Sequence, residues 1–415
     1  MNRRFGLVIS FFSLLAVVVF PFSVLSLAPN LTVAHAQAAQ EYVLGEVMPF
    51  TGDLGKYGKD FDQGIQLAVE QMNAQLALAG HQLTFKLVSQ DSGGTPDGAA
   101  KAIQTVVQSS GAQVVIGPLS TSEVLGAKQF ADANKIVILA PASTGEAGAI
   151  PNDYIFRVMN PPDNFASQAF EGIIKARGYK NIVSLYVDDP FGTGLYQTLS
   201  DLFKAGGGGE LSGVKYPANA TDLSSEVTKV SSEIARLSAS GSTAFFCACF
   251  LGDAQKLLKL AVVDPNMGKV DWLGVENLYV PDMLANKDEA SMLAASHFTV
   301  VSASSTANPN TQPFIKAYNA KFGSDPGPFT NYAYDAANIG MLAMIFAGNN
   351  GAAVQKVIPF IAAHYIGTQV QTFLDANGDQ AIATFSLYRV KADGSGFEEV
   401  GTYDGSSGTV TFTTK

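Results

Sequence analysis

The chain has 415 residues, 26 basic against 36 acidic side chains, a formal net charge of −10, and 47% hydrophobic residues. That length accommodates two domains. An acidic balance with few basic clusters argues against nucleic acid as a partner and serves solubility instead.

Arg3 and Arg4 precede a nearly continuous apolar run from Phe5 to Phe22, and Ala34-His35-Ala36 supplies an A-x-A cleavage site, with Ala36-Gln37-Ala38 as the alternative register. Residues 1–36 are therefore expected to be an export signal, cleaved to leave a soluble extracytoplasmic protein with a formal charge of −12 once Arg3 and Arg4 are lost. A retained anchor is the competing reading, because the run approaches the ~20 residues that span a bilayer. No cysteine lies near the cleavage region to carry a lipid.

A strand is predicted over 42–49, followed by the glycine-punctuated loop Thr51-Gly52-Asp53-Leu54-Gly55-Lys56-Tyr57-Gly58 and a helix with Phe61, Ile65, Ala68 and Met72 on one face. A second strand over 83–88 leads through Asp91-Ser92-Gly93-Gly94-Thr95-Pro96 into a helix near 97–109. The stretch 114–144 then reads as strand, hydroxyl-rich turn (Ser120-Thr121-Ser122), helix, strand and a second hydroxyl-rich turn (Pro141-Ala142-Ser143-Thr144), which is a βαβ unit. Both turns fall at the carboxyl ends of parallel strands, where open α/β sheets bind ligands and helix N-termini favour an anion. Thr121 and Ser122 are equally the residue types that merely cap helices.

Near 157–163 the pattern restarts, with Pro161-Pro162 breaking regular structure and a helix beginning around Asp163. Strands over 182–187, 214–217, 244–250 and 270–274 alternate with helices and predict a second α/β lobe. Cys247 and Cys249 are expected to be buried small hydrophobes, since a regular strand holds residues two apart too far for an easy disulfide. After 297–301, helices over 312–322 and 332–347 suit the outside of the first lobe. Asn377-Gly378 predicts a hairpin between 372–374 and 383–390. Asp375, Asn377 and Asp379 lack the glycine position and distal Glu of an EF-hand. The fold class is α/β, with two lobes, each a mostly parallel sheet flanked by helices.

In order and spacing these pieces resemble the periplasmic solute-binding proteins of fold type I, in particular the Leu/Ile/Val-binding branch of ABC-transporter substrate-binding proteins. The resemblance rests on GEVMPFTGDLGKYG from Gly45, Asp91, Val115 to Gly117 with the hydroxyl cluster, APAST from Ala140, Tyr334-Asp335-Ala336, and DANGD from Asp375. It implies two Rossmann-like lobes joined by three hinge crossovers near Val158, Val301 and Thr384, with 41–158 plus 301–383 as lobe 1 and 159–300 plus 384–415 as lobe 2. It places a ligand in the cleft, its carboxylate on Thr121, the Ala142 backbone and Thr144, its ammonium on Glu276, and Tyr57 as a cover. Phe191 and Phe250 stand where the family has tyrosines, and the family's first-lobe disulfide is absent.

The implied function is an extracytoplasmic receptor of an ABC importer. It would be a monomer without cofactor or metal, closing on a branched-chain or other apolar amino acid and delivering it to a membrane permease. A sensor module for amides, urea or aromatic carboxylates is the alternative. The residues themselves agree, because a zwitterion needs an anion site of hydroxyls and N–H groups at one end and a carboxylate at the other. Glu276 as a solvated loop residue, and Tyr57, Phe191 and Phe250 as core aromatics, are the plainer roles. Tyr334 and Asp335 are expected to brace a helix start. No Gly-x-Ser-x-Gly, H-E-x-x-H or P-loop motif points to an enzyme, and His81, His297 and His364 show no metal or triad spacing.

Overall fold

A computed structural model of the chain describes residues 40–158, 162–303, 309–327, 329–368, 372–381 and 383–413. The export signal expected over 1–36 and Pro161 lie outside the described residues.

The chain first builds β1 (Gln40–Met48), α1 (Gly55–Leu78), β2 (Leu83–Asp91), α2 (Pro96–Ser110), β3 (Val114–Ile116), α3 (Thr121–Asn134), β4 (Val137–Leu139) and β5 (Ile155–Phe156). These strands pair in parallel in the order β2-β1-β3-β4-β5. Strands buried on both faces read as continuous apolar runs, and Val114-Val115-Ile116 and Val137-Ile138-Leu139 do so. Val47, Val115 and Ile138 pack on Ala99, Ile103 and Val124 of α2 and α3. Leu44, Val114 and Leu139 join the larger core with Phe61 and Ile65 of α1.

The second lobe contains α4 (Asp163–Arg177), β6 (Asn181–Val187), α5 (Pro190–Ala205), β7 (Leu211–Tyr216), α6 (Ser224–Ser238), β8 (Thr243–Ala248), α7 (Leu251–Ala261), β9 (Asp271–Gly274), α8 (Lys287–Ala295) and β10 (Thr299–Ala303). In β8 the neighbours Phe245 and Phe246 point to opposite faces, onto Trp272 and Phe170 with ring centroids 4.6 Å and 4.9 Å apart. The chain then supplies α9 (Thr311–Phe322), α10 (Thr330–Ala347) and α11 (Gly351–His364). Of these, α9 and α10 pack on α1, and α11 packs on β4. Finally β11 (Thr384–Val390), β12 (Phe397–Asp404) and β13 (Thr409–Phe412) extend the second sheet, in the order β13-β12-β11-β10-β9-β8-β6-β7. The chain thus passes between the two sheets after β5, after β10 and before β11. Val158 follows β5, Val301 lies within β10, and Thr384 opens β11.

Two expectations are corrected. The hairpin between 372–374 and 383–390 does not form. Leu374 bridges Gln380 around the Asn377-Gly378 turn, and β11 pairs antiparallel with β10 and β12. The turn chemistry is present, with Asn377 N donating to Asp375 Oδ1 at 2.7 Å and Gly378 at φ +77°, but the following strand finds a longer partner in the other lobe. Cys247 and Cys249 form a disulfide with Cα atoms 5.4 Å apart. Residues two apart in a regular strand stand about 6.6 Å apart. β8 ends at Ala248, so Cys249 has left the extended path and the separation falls within disulfide reach.

The turn before β11 has a second role. Arg157 donates from Nε to Asp379 Oδ1 at 2.6 Å, from Nη2 to Asp379 Oδ2 at 2.5 Å, and from Nη1 to Gly145 O at 2.7 Å. Both ion-pair side chains are 1% exposed. The backbone adds Arg157 N to Gly378 O at 2.9 Å and Gln380 N to Arg157 O at 3.1 Å. The first and third connections therefore run bonded side by side.

Candidate functional site

The site grows from the carboxyl ends of β3 and β4. Gly117 ends β3 at φ +90°, where a Cβ would lie 2.1 Å from Val47 O, so only glycine makes this turn. Ser120 caps α3, with Glu123 N donating to Ser120 Oγ at 3.4 Å and Ser120 N donating to Glu123 Oε2 at 3.0 Å, a reciprocal capping box. The cap is thus Ser120, and neither Thr121 nor Ser122 is needed for it. Thr121, only 2% exposed, instead ties the two turns together. Its Oγ1 lies 3.1 Å from Ser143 Oγ and accepts from Gly145 N at 2.9 Å. A Cβ on Gly145 would stand 2.9 Å from that hydroxyl, so the approach requires the small residue. Arg157, through Gly145 O, braces the second turn from the hinge side.

Between the lobes lies a cavity of about 840 Å³ including its opening. All seven residues singled out in the sequence line it, Tyr57, Thr121, Ala142 and Thr144 from the first lobe and Phe191, Phe250 and Glu276 from the second. Phe191 and Phe250 stack with ring centroids 5.3 Å apart and planes at 24°, forming an aromatic wall. Leu119, Phe329 and Phe385 extend the apolar lining. Among the described residues that line it, the charged ones are Asp163 and Glu276, and none is basic.

Glu276 opens the turn Glu276–Leu278 after β9. Its Oε1 accepts from Ala303 N at 2.8 Å, Ser302 Oγ at 3.0 Å and Tyr332 Oη at 3.4 Å, so the carboxylate ties the end of β10 to α10. Tyr57 donates from Oη to Asn277 O at 2.9 Å, a bond from α1 to the opposite lobe. Burial pushes its hydroxyl pKa up, which keeps it a donor. Outside the cavity, Lys56 Nζ meets Asp282 Oδ2 at 2.6 Å with both side chains substantially exposed. The two lobes are thus latched by protein atoms. Asn277 also donates from Nδ2 to Cys249 O at 3.1 Å, which holds the disulfide end of β8 beside Phe250.

Sequence reading missed Asp163 as a site residue. It is the first residue of α4, 4% exposed, and its N donates to Thr144 O at 3.0 Å. Among the described residues its Oδ2 has no hydrogen-bond partner. Burial raises the carboxyl pKa to about 7, with the Thr144 hydroxyl and Arg157 pulling it down and Glu146 and Asp189 pushing it up. The available signal was an acidic residue directly after Pro161-Pro162, which on its own is what many helix starts show. Tyr334 and Asp335 stand away from the cavity lining. Tyr334 Oη donates to Gln71 Oε1 at 2.6 Å, and Asp335 accepts from Tyr365 Oη and Thr368 N, each at 2.8 Å. Among the described residues no group of three or more His, Cys, Asp or Glu is placed to hold a metal, and no helix is long and apolar enough to cross a membrane.

Two α/β lobes crossed three times by the chain, with an apolar cavity between them lined by a few hydroxyl and carboxyl side chains, are the architecture of a two-lobed solute-binding protein. The periplasmic binding protein family model matches residues 41–395, and the chain belongs to that family, an extracytoplasmic, solute-binding rather than enzymatic class. A Leu/Ile/Val-binding protein homolog of Brucella suis is 24% identical over 319 residues, covering 72% of this chain and 75% of the relative. The branched-chain amino acid transporter substrate binding protein LivJ of Streptococcus pneumoniae, in complex with isoleucine, superposes with a TM-score of 0.71 at 20% identity, covering 87% of this chain and 99% of that one. A solute-binding protein of an ABC transporter from R. palustris, in complex with benzoate, superposes with a TM-score of 0.71 at 18% identity, covering 88% and 96%.

Proposed function

We propose that the protein is the extracytoplasmic substrate-binding receptor of an ABC importer, and that it closes on an apolar amino acid and delivers it to a membrane permease. It acts as a monomer, without cofactor or catalysis, after export under the signal read over 1–36. The lobes that close are 41–158 plus 301–383 and 159–300 plus 384–415.

The observation that carries the ligand class is the polarity of the cavity. Lobe 1 presents Thr121, Ala142 and Thr144, lobe 2 presents Glu276 and Asp163, and among the described residues no basic side chain lines the cavity. Similar proteins bind isoleucine and benzoate. A benzoate would satisfy the hydroxyls and bring a further negative charge beside the Asp163 and Glu276 carboxyls with no cation to offset it, which is unfavourable in a desolvated site. A zwitterion satisfies both, and Tyr57, Phe191 and Phe250 enclose its aliphatic part.

The test is a thermal-shift and calorimetric panel of L-leucine, L-isoleucine, 4-methylpentanoate and benzoate, since a ligand that binds only the folded state raises its melting temperature. The amino acids are expected to bind and to be recovered unchanged by mass spectrometry. Binding of benzoate with none of the amino acids would replace this reading with an aromatic-carboxylate receptor.

A further inference from the structure

Among the described residues seven large apolar side chains are left exposed, and five of them, including all three aromatics, fall between 345 and 373. Leu78 and Val263 stand singly on other elements, which is ordinary for a soluble surface. Phe346 of α10 is 66% exposed and Phe360 of α11 is 54% exposed, and their ring centroids are 6.1 Å apart. The two helices therefore present one apolar surface rather than scattered residues. Ile345 adjoins Phe346, and the Phe360 ring stands 4.2 Å from that of His364. None of these side chains lines the ligand cavity. A contiguous exposed apolar patch marks an interaction surface.

The chemistry of the patch selects its partner. α11 buries Val354, Ile358 and Ala362 and turns Lys356, Phe360 and His364 outward, four residues apart and so on one stripe. Residues 336–374 contain no Asp or Glu, in a chain with 36 acidic side chains. Lys135 is exposed where its backbone meets the start of α11; a Cβ on Gly351 would lie 1.9 Å from Lys135 O. Asp132 and Asp153, toward that same end, both pair with Lys128. An acid-free apolar centre with ammonium groups at its rim suits a surface that is apolar within and anionic at its margin. A bilayer containing anionic lipids is such a surface. Aromatic rings enter the boundary between headgroups and acyl chains, and lysine stems reach back to the phosphates. A second copy of the chain is a poorer match. A two-fold contact would oppose one acid-free patch to another and leave the lysines without counter-charge.

We propose that the α10–α11 face of the first lobe docks reversibly on an anionic lipid bilayer, through Phe346, Phe360 and Lys356. Docking is independent of the solute, since the cavity lies elsewhere. For the receptor proposed above, it confines the search for a permease to the layer in which a permease lies.

The experiment is flotation of the exported protein with vesicles of phosphatidylcholine, alone or with about one-third phosphatidylglycerol, at low and high salt. The parent is expected to float with the mixed vesicles and to bind them more weakly in high salt. Phe346→Ser combined with Phe360→Ser is expected to lower the partition coefficient on mixed vesicles roughly tenfold or more. Lys356→Gln is expected to lower it about fivefold on mixed vesicles and to leave binding to phosphatidylcholine alone unchanged. All three side chains are exposed, so the variants should fold, with melting temperature as the control. A parent that does not float with the mixed vesicles overturns the proposal, and so does a double variant that floats as the parent does. Dimerisation in sedimentation velocity that the double variant loses, without flotation of the parent, would assign the face to a second copy instead.

Discussion

Replacing Tyr57 with Phe removes a single atom, the Oη that donates to Asn277 O at 2.9 Å, and keeps the ring on the cavity wall. The bond runs from one lobe to the other, so it exists only while the lobes are together. In an opened cleft both groups face water. A neutral hydrogen bond has a net worth of ~0.5–1.5 kcal/mol. Tyr57 is 6% exposed, so a closed variant leaves the Asn277 carbonyl short of a donor that water cannot easily replace, and the loss belongs in the upper part of that range. At about 1.4 kcal/mol per decade, leucine affinity is expected to fall roughly 3- to 10-fold. The change should appear in the dissociation rate, because opening is the step this bond resists. The assay is stopped-flow dissociation combined with calorimetry, with melting temperature as the control. Lys56→Ala is the comparison. Its exposed pair with Asp282 is worth only ~0.2–1 kcal/mol, and its effect should fade in high salt, whereas that of Tyr57→Phe should not. A Tyr57→Phe protein with the parent's dissociation rate and affinity would show that the bond does not help to hold the closed form.

Two predictions concern stability. Asp379→Asn leaves the Arg157 guanidinium buried without its counter-charge and should cost ~3–5 kcal/mol in urea unfolding, while Arg157→Met combined with Asp379→Leu should cost far less; a loss below ~1 kcal/mol for Asp379→Asn would refute the assignment of a buried pair. Glu46 is fully buried on β1, with Ser89 Oγ donating to Oε2 and Oε1 unpaired, and burial followed by the nearby Asp62 raises its pKa from 4.5 to about 8. Between those values the folded chain keeps a proton that the unfolded chain has lost, so stability is fully present below about pH 4.5 and declines as the pH rises towards 8, by at most about 1.4 kcal/mol per unit. Glu46→Gln should flatten that slope in urea titrations, and an unchanged slope would locate the linkage elsewhere.

The lobes were readable because a parallel α/β arrangement is written locally. Each strand is a short apolar run, each turn holds Gly, Pro or hydroxyls, and each helix shows its period. The same arrangement explains why Thr121, Ala142 and Thr144 share a cavity, since a parallel sheet gathers its strand–helix turns at one edge. Features set by distant partners were not readable. Nothing local distinguishes Asp163 from an ordinary acid at a helix start; its burial comes from the chain crossing between lobes. The Cys247–Cys249 bond depends on where β8 stops, a matter of one residue. The strand after Asn377-Gly378 chose β10 over its sequence neighbour because β10 offered five paired residues. α11 escaped notice because Pro359 lies inside it and its apolar residues run nearly all round, which blurs the helical period.

The interlobe latch carries a consequence for transport kinetics in the proposed importer. The Tyr57–Asn277 and Lys56–Asp282 bonds join protein atoms alone, so they stabilise closed receptors whether or not a solute is inside. A solute shifts the equilibrium only by the difference in its affinity for the two forms. Part of the closed population would therefore be empty, and a permease that recognises the closed shape would dock with it. Empty receptors then compete with loaded ones for the same transporter. Raising the amount of receptor at fixed, scarce solute would slow uptake beyond an optimum, and the partner ATPase would consume ATP without import. Weakening the latch would trade affinity for tighter coupling between ATP use and solute delivered.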